Sequence, residues 1–235
     1  MPYYGYYGYG YGFDPLYLLL ILVTTVLGLA AQGYINSTYK VWSRVESDGS
    51  RGADVARRML DENGCQRVGI RAVAGHLTDH YDPRDNNLYL SNDNLNGGSV
   101  ASVAVACHEA GHAAQREKGY FMIKVRTALV PVVNISQSLW TLVFMLGIVM
   151  NMSGLTTLAI ALFAFCVIFQ LVTLPVEIDA SRRAVAYIER SGMGSVNVRG
   201  ARKVLTAAAL TYVAAALTSI LQLVYLLFST RRNDD

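Results

Sequence analysis

The run His108-Glu109-Ala110-Gly111-His112 has residue types and a spacing that are suited to metal chemistry. Residues four apart lie on the same face of a helix, so the two imidazoles can bind one metal ion. Glu109 lies beside them, where its carboxylate can accept a proton from a water at the metal. The pattern therefore predicts a Zn²⁺ site of the kind that activates water for hydrolysis.

A purely structural explanation would make these residues polar positions on an Ala-rich helix. The preceding turns contain Val100 and Val103, which predicts that the helix is buried. Histidines at the end of a buried helix need a partner that compensates for lost hydration, and a metal ion provides one. Cys107 points off the face shared by His108 and His112, so we expect it to pack in the core.

A third protein ligand is expected, because a catalytic zinc usually has three and keeps its fourth position open. Glu177 is favoured, since it is the first charged residue after a 50-residue uncharged stretch and closely follows Pro175. We expect a membrane span to end or kink at Pro175 and a new helix to begin there, with Glu177 in its first turn. The alternative for Glu177 is a carboxylate that only favours the helix dipole. Other residues that could complete the site are His76, His80, Asp179 and Glu189.

Hydrophobic periodicity indicates the elements that must position these residues. Ser99 is suited to cap the helix that carries the H-E-x-x-H run. A helix over Asp54–Asn63 and two strands, Arg67–Ala74 and Leu88–Ser91, precede it, with a polar loop over Gly75–Asn87 between the strands. This α+β unit is too small to bury a large core alone, so we expect it to pack on membrane helices. The strand Leu88–Ser91 is either an edge that pairs with extended substrate or an interior strand.

The composition predicts a membrane protein, because 53% of the 235 residues are hydrophobic and only 16% are charged. It excludes a disordered chain, a fibrous chain and a purely soluble enzyme. Three stretches contain no Asp, Glu, Lys or Arg: Pro15–Tyr39, Thr127–Val176 and Val204–Thr230. A hydrocarbon core about 30 Å thick needs roughly 20 residues of helix, so the first and last stretches each fit one span. The central stretch fits two spans, joined by a turn at Asn151–Gly154.

The basic residues predict the side of the membrane on which the polar segments lie. Residues 35–126 and 177–203 hold 18 of the 20 Lys and Arg residues, and with four spans these segments share one side. Positive residues favour the cytoplasm, so we expect a multi-pass protein of the bacterial inner membrane with its site on the cytoplasmic side. Arg231 and Arg232 would then lie outside, which counts against this orientation.

Three stretches closely resemble the YugP-like family of bacterial membrane zinc metallopeptidases. They are Gly75–Pro83 (GHLTDHYDP), Val105–Gln115 (VACHEAGHAAQ) and Leu174–Glu177 (LPVE). The resemblance extends from about residue 35 to the last span. More distantly the sequence is similar to HtpX and the CAAX prenyl proteases, gluzincins that take two zinc-binding histidines from one helix and a glutamate from a later one.

The resemblance implies one Zn²⁺ ion bound by His108, His112 and Glu177, with Glu109 as the general base. In the distant relatives an Asp stands four residues after the ligand Glu and orients a zinc-binding histidine, whereas here that position holds Ser181. The residues that could orient a histidine instead are Asp79 and Asp179. The oxyanion needs a second donor besides the metal ion, and the candidates are Arg183, Tyr187, His76 and His80.

We therefore predict a mainly α-helical membrane protein with about four transmembrane helices and a small cytoplasmic α+β zincin-like metalloprotease domain. The predicted parts are a Tyr/Gly-rich tail (1–14), the first span (15–34), the zincin-like domain (35–126), a helical hairpin (127–175), a cytoplasmic helix with the third ligand (176–203), the last span (204–230) and a tail (231–235). The three cysteines, Cys65, Cys107 and Cys166, are too scattered for a disulfide framework.

The leading functional prediction is an integral-membrane zinc metalloendopeptidase that cleaves membrane or membrane-proximal proteins. The alternative is a metal-binding pseudoprotease that acts as a scaffold and binds membrane partners without cleavage. The intact Glu109 argues against a scaffold, which needs no base at that position. A transporter would place ionisable residues within its spans, and the predicted spans contain none. The net charge of +3 is too small to predict a nucleic-acid partner.

Overall fold

The computed structural model describes residues 14–234. The predicted Tyr/Gly-rich tail lies outside the described residues except for Asp14, and so does Asp235 at the other end. The elements, in chain order, are α1 (Pro15–Trp42), α2 (Gly52–Glu62), β1 (Gly69–Val73), β2 (His80–Asp82), β3 (Asn87–Ser91), α3 (Asn92–Asn96), α4 (Val100–Glu117), α5 (Phe121–Val149), α6 (Ser153–Arg190) and α7 (Ser195–Asp234).

Four of these helices, α1, α5, α6 and α7, are long and apolar enough to cross a membrane. Their outer surfaces carry exposed large apolar side chains such as Leu29, Val149 and Phe228, which suit contact with lipid. Helix α5 packs against α6, α6 against α7, and α7 against α1. The structure thus confirms the predicted class, a mainly helical membrane protein with a small sheet.

Helices α5 and α6 form the hairpin that the uncharged central stretch predicts. The chain turns between Val149 and Ser153, and Asn151 adopts a left-handed backbone conformation with φ +51°. Asparagine tolerates this conformation better than most residues do. The hairpin returns the chain to the side of the bundle from which α5 starts.

The expected helix break at Pro175 is wrong. Helix α6 runs without interruption from Ser153 to Arg190, so Glu177 lies in the interior of a 38-residue helix and not in a first turn. Proline inside a membrane helix is tolerated because neighbouring helices and side chains can satisfy the backbone groups that it frees. As a result, Glu177 is carried on the same continuous helix that forms a candidate membrane span.

The sheet has the strand order β1-β3-β2, with β3 parallel to β1 and antiparallel to β2. Strand β3 is therefore interior, so the interpretation of Leu88–Ser91 as an edge for substrate is wrong and the alternative is right. Leu88 and Leu90 are fully buried on it. The predicted polar loop also contains a strand, β2, whose three residues His80–Asp82 are too few and too polar to show a hydrophobic alternation.

Helix α4 lies at the centre of the polar unit and contacts α2, α6 and α7. Ser99 caps it as predicted, because its hydroxyl accepts a hydrogen bond from the backbone N–H of Ser102. Cys107 is fully buried in the core beside α2, as expected for a packing residue, and all three cysteines are free thiols. The small side chains of α4 let three helices approach it closely, which brings its C-terminal half against the membrane helices.

Candidate active site

Gly111 lets α4 approach α6 closely. A Cβ atom at this position would lie 2.8 Å from the backbone oxygen of Ala180, which is shorter than any normal contact. Glycine costs about 1 kcal/mol relative to alanine inside a helix, and this backbone contact explains why that cost is tolerated. The contact turns the His108/His112 face of α4 toward the polar part of α6.

The structure brings the three predicted ligands together. The Oε2 atom of Glu177 lies 3.2 Å from Nε2 of His108 and 3.5 Å from Nε2 of His112. One ligand atom from each residue lies within 4.8 Å of the other two, so the cluster can hold a metal ion. Two imidazole nitrogens and one carboxylate oxygen are a donor set that catalytic zinc uses. The remaining predicted candidates, His76, His80, Asp179 and Glu189, are not part of this cluster in residues 14–234.

Each imidazole has a hydrogen-bond partner on its other nitrogen. Nδ1 of His108 lies 3.1 Å from the Ser181 hydroxyl, and Nδ1 of His112 lies 3.1 Å from Oε1 of Gln115. Such contacts hold a ring so that Nε2 faces the metal position. Ser181 thus makes the contact at the position where distant relatives carry an Asp.

The two aspartates considered for the orienting role make other contacts. Asp79 accepts hydrogen bonds from the backbone and hydroxyl of Ser91 and from the side chain of Asn94. Asp179 accepts a hydrogen bond from Gln115, and so reaches His112 only through that residue. Sequence reasoning did not single out Gln115, although it lies one turn beyond Gly111 on the same face of α4.

Glu109 is buried beside the cluster, and burial raises the pKa of its carboxyl group from 4.5 to about 7. The neighbouring Glu177 also raises this pKa, and His108 lowers it. A carboxyl group with a pKa near neutrality can both accept and release a proton at physiological pH.

The four residues predicted as oxyanion donors lie in different surroundings. His80 is exposed on β2, stacks on the ring of Tyr89 at 5.0 Å, and contributes to the electrostatic environment of Glu109. His76 faces Asp93 at 3.7 Å and borders a separate cavity of about 850 Å³.

The other two predicted oxyanion donors, Arg183 and Tyr187, are held by local contacts. The Nε of Arg183 donates a 2.6 Å hydrogen bond to Asp179 one turn earlier on α6. Tyr187 is buried in the core, with the guanidinium of Arg190 5.2 Å from its ring centre. In residues 14–234 no hydrogen bond or ion pair joins either side chain to the three clustered residues.

Two further residues reach the Glu177 carboxylate from neighbouring helices. Nη2 of Arg126, on α5, lies 3.8 Å from Oε1 of Glu177, and within the described part of the chain the Nε of Arg126 is buried without a hydrogen-bond partner. The Tyr212 side chain on α7 interacts with the same carboxylate. Arg126 is the last charged residue before the 50-residue uncharged stretch, and Glu177 is the first after it. That symmetry is the signal in the sequence that could have identified Arg126.

The candidate site therefore lies between the polar unit and the membrane helices. Helix α4 contributes His108, Glu109 and His112, whereas α5, α6 and α7 contribute Arg126, Glu177 and Tyr212. Neither part contains the whole cluster.

Two comparisons with known proteins indicate the same family. Residues 17–231 match the family model described as "Putative neutral zinc metallopeptidase". The chain is 43% identical over 210 residues to "Putative membrane protease YugP" of Bacillus subtilis (strain 168), covering 88% of this chain and 93% of that protein. No solved structure matches the chain. The match covers nearly the whole chain and includes the His-His-Glu cluster, and the chain therefore belongs to the neutral zinc metallopeptidase family that this model describes.

Proposed function

We propose that the protein is an integral-membrane zinc metalloendopeptidase that hydrolyses peptide bonds in membrane or membrane-proximal proteins. The observation that carries this proposal is the convergence of two imidazole Nε2 atoms and one carboxylate oxygen within 4.8 Å, with Glu109 buried beside them. A scaffold would not need a buried carboxyl group at that position, because burying an ionisable group is costly.

The ligand set fits one zinc ion. His108 and His112 would hold it through Nε2, and Glu177 through its carboxylate, which leaves one position of a tetrahedral site open. When bound, Zn²⁺ acts as a Lewis acid that polarises a carbonyl group and lowers the pKa of a water molecule.

Glu109 acts as the general base and then as the general acid. Its carboxylate accepts the proton of the attacking water and passes that proton to the amine that leaves. In the metal-free protein burial raises the pKa of this group, so the protonated form that donates to the amine is less disfavoured than it is for an exposed glutamate.

Arg126 supplies the donor for the carbonyl oxygen of the substrate. Its guanidinium lies at the cluster with a buried Nε that has no hydrogen-bond partner in residues 14–234, and a bound ligand can satisfy such a donor. Arg183, the earlier candidate, is already engaged by Asp179. Exposed His80, on the edge strand β2, is suited to contact the substrate outside the cluster.

The membrane location of the substrate is supported by the position of the site. Arg126 and Glu177 flank the uncharged hairpin, so the cluster lies where the chain enters and leaves the apolar layer. A peptide segment that emerges from the membrane reaches this level directly. The Lys and Arg distribution supports the cytoplasmic side of the inner membrane.

The test uses the full-length protein purified in detergent. We expect wild-type protein to contain one zinc ion and to cleave a membrane-protein substrate, and Glu109→Gln to keep the zinc and lose turnover. Glu117→Gln is the matched control, since it makes the same change on an exposed position of α4. Wild-type turnover by Glu109→Gln, or full zinc content in His108→Ala or Glu177→Ala, would contradict the proposal.

A further inference from the structure

Gln115 is fully buried in the last turns of α4, and each of its polar hydrogens and its oxygen has a partner. Nε2 donates to the backbone oxygen of Val176 at 2.7 Å and to Oδ2 of Asp179 at 2.9 Å. A carbonyl oxygen and an ionised carboxylate only accept hydrogen bonds, so the NH₂ group of Gln115 must face both of them. The orientation of the side-chain amide is therefore determined by its partners.

This orientation decides which nitrogen of His112 carries a hydrogen. Oε1 of Gln115 faces Nδ1 of His112 at 3.1 Å and can only accept, so Nδ1 must be the donor. In the neutral imidazole only one nitrogen carries a hydrogen, which leaves the lone pair on Nε2. Nε2 is the atom that faces Glu177 at 3.5 Å.

The same residue also holds the helix that carries Glu177. Val176 and Asp179 lie on either side of Glu177 along α6, and Gln115 donates to both. Asp179 is in turn held by the Nε of Arg183 at 2.6 Å, which keeps its carboxylate in place as an acceptor.

The contacts of His108 do not select its tautomer in the same way. Its Nδ1 lies 3.1 Å from the Ser181 hydroxyl, and a hydroxyl can donate or accept. Ser181 therefore orients the ring of His108 without selecting its tautomer. The two histidines of the cluster differ in this respect.

We propose that Gln115 is a positioning residue that sets the tautomer of His112 and fixes α6 relative to α4, and so sets the zinc affinity of the cluster. The inference rests on the proposed function, since it assumes that the cluster binds zinc. Residues that orient metal-binding histidines typically change metal affinity 10–100-fold when they are removed.

The test measures the zinc dissociation constant of the full-length protein in detergent by competition with a chelator. We expect Gln115→Met, which keeps the length of the side chain and removes its hydrogen bonds, to weaken zinc binding about 10–100-fold. Ser102→Ala is the matched control: it removes a buried hydroxyl of α4 that donates to the backbone oxygen of Asp93, far from the cluster along the helix. This control should lower stability and leave zinc affinity unchanged.

A second set of variants separates hydrogen bonding from packing. Gln115→Glu keeps an acceptor for His112 but places a carboxylate against Asp179, so we expect weaker zinc binding. Adding Asp179→Asn gives the pair of side chains at positions 115 and 179 a hydrogen-bond donor again. We expect the zinc affinity to recover at least in part. The absorption spectrum of the Co²⁺-substituted protein should change in Gln115→Met and not in Ser102→Ala.

The outcomes distinguish this inference from the proposed function. Absence of zinc from the wild-type protein would overturn the proposed function and this inference together. Wild-type affinity in Gln115→Met, or an equal loss of affinity in Ser102→Ala, would overturn this inference alone. Failure of Asp179→Asn to recover any affinity in the Gln115→Glu background would also overturn it.

Discussion

Glu109 combines two properties that oppose each other in a folded protein. Its carboxyl group is buried and lies near Glu177, both of which disfavour the ionised form, whereas His108 and His80 favour that form. The balance leaves a pKa of about 7, well above 4.5, the usual value for glutamate. A pKa that is shifted in this way is typical of catalytic residues rather than of residues that only pack.

The raised pKa predicts how the metal-free protein responds to pH. Ionisation of Glu109 costs more in the folded than in the unfolded state, so the folded state loses stability as pH rises from about 4.5 to about 7. Glu109→Gln removes this loss. After zinc is removed by a chelator, we expect the variant to be more stable than wild type at pH 8, by up to about 3 kcal/mol, and nearly equal to it at pH 4.5. Thermal unfolding in detergent at both pH values measures the difference, and an equal difference at both would contradict the assignment.

Arg126 gives a second prediction for a single residue. Arg126→Gln should lower turnover by roughly 10²–10³-fold, as loss of an oxyanion donor does, while the zinc content stays at one ion. Arg126→Lys keeps the positive charge but lacks the planar guanidinium group. Its turnover should lie between those of wild type and Arg126→Gln. Arg84→Gln is the control, because the Arg84 side chain is 88% exposed and pairs with the neighbouring Asp82. Loss of zinc from Arg126→Gln would show that the residue holds Glu177 rather than the substrate.

Helix α4 and helix α6 form the contact on which the site depends. Gly111 brings the two backbones together, Gln115 joins them by hydrogen bonds, and the ligands project from both. Neither helix can shift along the other by a fraction of a turn without separating Glu177 from the imidazoles. The geometry of the cluster is therefore a property of the pair of helices.

A methyl group at Gly111 tests this contact. Because the group that it would meet is the backbone of Ala180, it cannot be accommodated by a side-chain rotation. We expect Gly111→Ala to destabilise the protein by about 1–3 kcal/mol and to weaken zinc binding. Gly154→Ala is the matched control, since a Cβ there meets nothing within 4 Å and alanine favours a helix. Thermal unfolding in detergent should place the two variants on opposite sides of wild type.

Elements with strong local signals could be predicted from the sequence. Ser99 and the valines after it indicate the start of α4, and the spacing of His108 and His112 places them on one face. Pro175 misled the prediction, because in a soluble protein it would end a helix, whereas packed membrane helices tolerate it. Gln115 could not be assigned, since its role depends on how α4 and α6 are rotated about their axes, which periodicity does not specify. Arg126 could have been identified only by its place at the end of the uncharged stretch.

At the scale of the whole molecule, the bundle and the polar unit share one site. The four membrane helices hold Glu177 and Arg126 at the level where the uncharged stretches end, and the α+β unit lies on the same side. Glu177 could be proposed as the third ligand from the sequence because the hairpin must return the chain to the side that it left. The order in which the helices pack, α5, α6, α7 and α1, could not be predicted from the sequence, since all four helices are apolar around most of their surface.

The orientation in the membrane can be tested by labelling with a membrane-impermeant maleimide. The three native cysteines are buried, so they provide a low background. A cysteine introduced at Asn151, in the turn between α5 and α6, should react from the outside of intact cells. One introduced at Glu117, exposed on α4, should react only after the membrane is opened. The reverse pattern would place the site on the outer face.

The division of the cluster between α4 and α6 has a consequence for the order of biosynthesis. A ribosome that has made residues 35–126 has produced both histidines and Glu109, but Glu177 is not yet part of the chain. The cluster can be completed only after residues 127–176 have been synthesised and the hairpin has returned the chain. A chain that ends before residue 177 therefore lacks one of the three groups, and the cluster can form only after the hairpin between α4 and Glu177 has been made.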